Sequence, residues 1–92
     1  PEIADELKAI ITENSRTILK SFSDIVDKAP LNAEAFESFI NSWLKEKGLI
    51  MKDLGIPLRI VLTGNKSAPT IFDLIQSLGF EEVKVRIEQI CN

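Results

Sequence analysis

Apolar residues at Ile3, Leu7, Ile10, Ile11, Ile18, Phe22, Ile25 and Val26 recur at close to a helical period, the pattern of a helix with one buried face. Asn14 and Ser15 interrupt the stripe, so a bend or break is expected there. Ala29-Pro30 ends the segment, because proline drives the residue before it out of the helical region. Asn32 then offers an N-cap for a second helix, with Glu34 in its first turn and Phe36, Phe39, Ile40, Trp43 and Leu44 as its apolar stripe. Lys45 and Lys47 suit the negative end of that helix, and Gly48 can take the left-handed closing conformation.

Leu49 to Gly64 has two readings. Ile60-Val61-Leu62 has the β-branched character of a buried strand, yet no partner strand is visible and an isolated strand leaves its backbone groups unpaired. Pro57 suits the first turn of a short helix and Gly64 its stop, so a helix is expected. Ser67 or Ala68 leads into Pro69 at another helix start, with Ile71, Phe72, Leu74, Ile75 and Leu78 on its apolar side and Gly79 closing it. Glu81 to Cys91 forms a last helix with Val83, Ile87 and Ile90 facing inward. The expectation is an all-α fold, a compact bundle of about five short helices, without internal repeat or low-complexity linker.

Composition narrows the function. Ninety-two residues, 45% hydrophobic and 27% charged, form one folded domain with a core but no room for a deep enclosed active site as well. No apolar run reaches the ~20 residues of a membrane span, and no signal-peptide pattern opens the chain. Starting at Pro1 without an initiator methionine, residues 1–92 read as a fragment of a longer protein. The absence of histidine removes histidine-based triads and most zinc sites, so no catalytic residue and no metal ligand is assigned. The single cysteine, Cys91, fits a reducing compartment and reads as an inert thiol with nothing to activate it.

Charge is uneven. The net charge of −3 argues against non-specific binding of nucleic acid. From Lys45 to Phe72, however, five basic residues stand against two acidic ones, a window of +3 that leaves −6 for the remainder. That window suggests a docking surface for an anionic partner. Within it, Arg59 lies among Leu58, Ile60, Val61 and Leu62. Its guanidinium either bridges to a glutamate of a neighbouring helix or presents a fork to a phosphate or base edge. Lys66, on a loop tip, is by default a solvated charge. Trp43 has the shape of a base-stacking platform but sits on a helical apolar stripe, and it is assigned to the core. Gly64-Asn65-Lys66-Ser67 lacks the spacing of a phosphate loop, and Glu81-Glu82 reads as a solvated helix start and not as a catalytic pair.

PLRIVLTG, a short polar loop and then PTIFDLIQSLGFEEVKVRI resemble the C-terminal anticodon-binding region of bacterial-type glutamyl-tRNA synthetases, class I aminoacyl-tRNA synthetases. The residues in the places of that pattern are Pro57, Leu58, Arg59, Leu62, Thr63, Gly64, Pro69, Ile71, Phe72, Leu78, Gly79, Glu81, Val83, Arg86 and Ile87. The match is specific over residues 56 to 90 and looser over residues 1 to 48. The resemblance implies an all-helical, non-catalytic domain that holds the anticodon loop of the glutamate tRNA, as a monomer in the cytoplasm. It implies that Arg59, Pro69, Ile71 and Phe72 face the anticodon, and Lys66 on the intervening loop is added to them as a candidate contact. Arginine hydrogen bonds, loop backbone groups and apolar contact are how splayed single-stranded bases are read. Phe72 also has the spacing of a core residue. The resemblance assigns ATP and magnesium to a catalytic domain elsewhere in the parent enzyme, since the HIGH-type and KMSKS-type motifs are absent here.

Two positions depart from that pattern. It usually reads AQPLR, whereas this chain reads Gly55-Ile56-Pro57-Leu58-Arg59, with Ile56 in place of a polar glutamine. Ala68 stands where the pattern has a hydroxyl or other small residue before the loop proline. The alternative function, a small helical protein-interaction (adaptor) module, needs no positive window between Arg59 and Phe72.

Overall fold

The computed structural model describes residues 3–67 and 69–91. Among these residues six helices run in the order α1 (Asp5–Lys8), α2 (Glu13–Ile25), α3 (Ala33–Glu46), α4 (Met51–Thr63), α5 (Ile71–Leu78) and α6 (Phe80–Cys91), with a 3₁₀ turn, Val26–Lys28, after α2. Among the described residues no strand occurs, and no helix is long and apolar enough to cross a membrane. The all-α expectation holds.

The first apolar stripe breaks earlier than its polar interruption suggested. Asn14 and Ser15 lie inside the first turn of α2, and the break falls at residues 9–12. Thr12 sets it: its backbone is extended and its Oγ1 accepts the Ser15 amide at 3.1 Å, which caps α2. Ile10, expected on the inner face, is exposed in this turn, whereas Ile3 and Ile11 are buried. α3 follows its sequence reading closely. Asn32 Oδ1 accepts from the Ala35 amide at 3.1 Å, and Phe36, Ile40 and Leu44 are buried.

α4 is a helix, but it begins at Met51, so Pro57 sits in its interior and not in its first turn. The start is fixed by Asp53, whose Oδ2 accepts the Ile50 amide at 2.9 Å. A carboxylate in the first turn also favours the positive end of the helix dipole. Pro57 contributes no N–H toward the carbonyl of Asp53, a cost that burial of its own helix offsets. Leu54, Leu58 and Ile60 are fully buried, and Val61 and Leu62 nearly so. Each such side chain contributes roughly 1.5–3 kcal/mol relative to exposure. α4 packs against α2, α5 and α6, and α2 packs against α6, so these helices surround α4 on several sides.

Gly64 ends α4 at φ 76°, ψ 14°, a left-handed conformation, with its N–H on the Ile60 carbonyl at 2.8 Å. α5 also starts later than expected: Pro69 precedes the helix, Thr70 is the N-cap and Ile71 the first helical residue. A threonine followed three residues later by an acid is a helix-start signature, and here the Thr70 Oγ1 accepts the Asp73 amide at 3.2 Å. Trp43, assigned to the core, is half-buried and meets Phe22 edge-to-face with ring centres 6.1 Å apart.

Candidate nucleic-acid interface

Between the first half of α3 and the start of α5 lies an open groove of about 410 Å³. Its walls are Phe36 and Ile40 of α3, Met51 at the start of α4, and Ile71 and Phe72 of α5. Phe36 and Phe72 meet edge-to-face at 5.4 Å and hold the two helices together at the groove floor. Ile71 is buried and Phe72 half-buried. The amides of Ile71 and Phe72, in the first turn of α5, have no acceptor within the helix.

Arg59 borders this groove from α4. Its Nε donates to the carbonyl oxygen of Pro69 at 3.2 Å. Neither alternative of a carboxylate bridge nor a fully free fork describes it: among the described residues no carboxylate lies within ion-pair distance of Arg59. The guanidinium is instead tied to the loop backbone by one edge. The loop is itself ordered from α4. The Thr63 hydroxyl donates to the Arg59 carbonyl at 2.8 Å and accepts the Asn65 amide at 3.1 Å, while Asn65 Oδ1 accepts the Ser67 amide at 2.9 Å.

The structure therefore brings together Arg59, the Pro69 carbonyl, Ile71 and Phe72. Lys66 is exposed on the same loop and outside the groove lining. Ile56 packs against the core and does not line the groove, so its loss of polarity relative to the AQPLR pattern falls beside the groove and not in it. Ala68 lies outside the described residues.

The groove is not uniformly positive. Glu37 and Asp73 line it together with Arg59, so the positive window of the sequence becomes a mixed lining in three dimensions. Such a lining has donors and acceptors within one apolar slot, which suits the polar edge of an aromatic ring better than a bare phosphate. The sequence assigns none of Phe36, Glu37, Thr70 and Asp73 to a site, and Phe36 reads there only as part of a helical apolar stripe. Thr70-x-x-Asp73 was visible as a helix-start signature, whereas Glu37 is brought into the groove only by the packing of α3 on α5.

Arg86 is a second positioned arginine, on α6. Its Nε donates to Glu82 Oε2 at 2.7 Å and its Nη1 to the Leu62 carbonyl at 2.6 Å, in the last turn of α4. Its role is structural: it supplies a cation and a donor to a helix end whose carbonyls lack partners.

Residues 1–91 match the family model described as "Anticodon binding domain", and the chain belongs to that family. Among curated relatives it is similar to Glutamate–tRNA ligase 1 of Campylobacter hominis, 40% identical over 80 residues. It is likewise similar to Glutamate–tRNA ligase 2 of Campylobacter concisus at 41% and to Glutamate–tRNA ligase of Pelagibacter ubique at 38%. The first two alignments cover 87% of this chain and the third 85%, but each covers only 17% of the relative. The chain thus corresponds to the anticodon-binding part of proteins several times its length. No solved structure matches it.

Proposed function

We propose that this domain holds the anticodon loop of the glutamate tRNA, as the anticodon-binding part of a glutamate–tRNA ligase. The observation that carries the reading is Arg59, tied through Nε to the Pro69 carbonyl at the edge of an apolar groove that ends at the first turn of α5. A splayed base meets there a guanidinium, two carboxylates, first-turn amides and the faces of Ile71 and Phe72. Lys66 contributes at longer range to the phosphates around the loop. The domain acts as a monomer in the cytoplasm. Attachment of glutamate, with its requirement for ATP and magnesium, belongs to the catalytic part of the longer enzyme.

The test is an NMR titration of the chain with an anticodon stem-loop carrying the glutamate anticodon, beside a stem-loop of scrambled loop sequence. The expected result is selective shifts at Arg59 and from Lys66 to Phe72 with the first RNA. Shifts confined to residues 3–48, or none with either RNA, overturn the reading and leave a protein-interaction module in its place. Arg59→Ala should weaken binding of the cognate stem-loop by about 1–3 kcal/mol while leaving the fold intact.

A further inference from the structure

Gly55 stands in the middle of α4, where glycine has no conformational task. Its φ is not positive, and α4 is regular on either side of it. Glycine in a helix interior is less favourable than alanine. Packing against other helices does not require it either: beyond its chain neighbours and the backbone of its own helix, a Cβ built at Gly55 would meet two heavy atoms within 4 Å, and both belong to Arg59. They are Nη1 at 2.6 Å and Cζ at 3.7 Å. The side chain of Arg59 folds back toward the N-terminus of its own helix, the direction helical side chains take, and occupies the place of the missing methyl.

We propose that Gly55 is a positioning residue for Arg59. The bare backbone at Gly55 lets the guanidinium lie down along α4, at the height where Nε reaches the Pro69 carbonyl and the head group borders the groove. Two contacts on different sides then define one orientation: helix backbone beneath and loop carbonyl beside. A methyl at position 55 lifts the guanidinium, because the far end of a flexible side chain yields before a helix backbone does. The consequence for RNA binding rests on the proposed role of Arg59.

The test compares the unaltered chain with Gly55→Ala, Arg59→Ala and the double variant. Three readouts are needed: thermal unfolding, solvent exchange of the Arg59 Nε proton by NMR, and affinity for the cognate anticodon stem-loop. Gly55→Ala should unfold at the same or a higher temperature, exchange the Arg59 Nε proton several-fold faster, and bind the stem-loop several-fold more weakly. In the Arg59→Ala background it should cause no further loss of affinity. An unfolded Gly55→Ala overturns the inference, since the glycine would then serve the fold. Unchanged exchange, or unchanged affinity where Arg59→Ala does weaken binding, overturns it as well and leaves the proposed function standing. If Arg59→Ala itself binds normally, the RNA-binding role of Arg59 fails, and the exchange readout alone decides whether Gly55 seats the side chain.

Discussion

Nη1 of Arg86, on the last helix, lies 2.6 Å from the carbonyl oxygen of Leu62, near the end of the helix that carries Arg59. This contact links two segments 24 residues apart and satisfies a part-buried acceptor that its own helix leaves unpaired. The same side chain is held by Glu82, so its orientation is fixed from both sides.

Replacing Arg86 with Met keeps most of the aliphatic stem and removes the donor. The Leu62 carbonyl then loses its partner, a loss of about 1–3 kcal/mol. Urea denaturation should show a lower midpoint with an unchanged slope. A change below about 0.5 kcal/mol would mean that water replaces the contact freely.

Thr70 is expected to hold the start of α5. Thr70→Ala removes the Oγ1 acceptor of the Asp73 amide and should cost about 1 kcal/mol, with Thr70→Ser recovering most of it. Because α5 supplies Ile71 and Phe72 to the groove, the alanine variant should also bind the anticodon stem-loop more weakly. Equal stability of all three proteins would refute the capping role.

The ion pair between Lys84 and Asp27, at 2.9 Å, joins α6 to the 3₁₀ turn. The hydrogen bond from Lys84 holds the Asp27 carboxyl below its ordinary value. A group ionised more readily in the native state stabilises it above the unfolded-state pKa, near ~3.9, and that stabilisation disappears as pH falls through the lower native value. Thermal midpoints of the unaltered chain and Asp27→Asn should therefore differ at pH 6 and converge at about pH 2. High salt should narrow the gap, since both partners are partly exposed. A gap independent of pH would assign the effect to packing.

Burial pushes the Cys91 thiol up, against smaller opposing effects of Lys20 and Arg16. At a given mildly alkaline pH less of it is thiolate than in the unfolded chain. Alkylation by iodoacetamide at pH 8 should run slower in the folded protein than in urea, after correction for the effect of urea on the reagent. A faster reaction in the folded state would reveal an activating environment and contradict the inert reading.

How much of this was readable in the sequence depended on how many sides of a helix are buried. α3 was legible because its burial is one-sided, on Phe36, Ile40 and Leu44, and because Asn32 and Gly48 mark its ends. α4 was legible as a helix only through the lack of a partner strand and the Gly64 stop, because Ile60, Val61 and Leu62 are buried in succession among several helices, which erases the 3.6-residue period on which the distinction from a strand rests. Pro69 drew the start of α5 two residues too early, although Thr70 and Asp73 carried the true signal. The candidate site was legible in part. Arg59, Ile71 and Phe72 do share one groove, but the partner of Arg59 is a loop carbonyl, whose position no side-chain pattern encodes. Glu37 reaches the groove from an acidic stretch far off in sequence, through the packing of α3 on α5.

α2 packs most extensively against α6, and α6 also covers α4. The sides of α2 and α4 that face α6 are therefore covered by a segment more than fifty residues after the start of α2, and α2 and α4 packed on each other leave those sides open to water without it. Closure of the core requires Phe80–Cys91, so the rate of folding is governed by pairing between distant parts of the chain and not by helix formation alone.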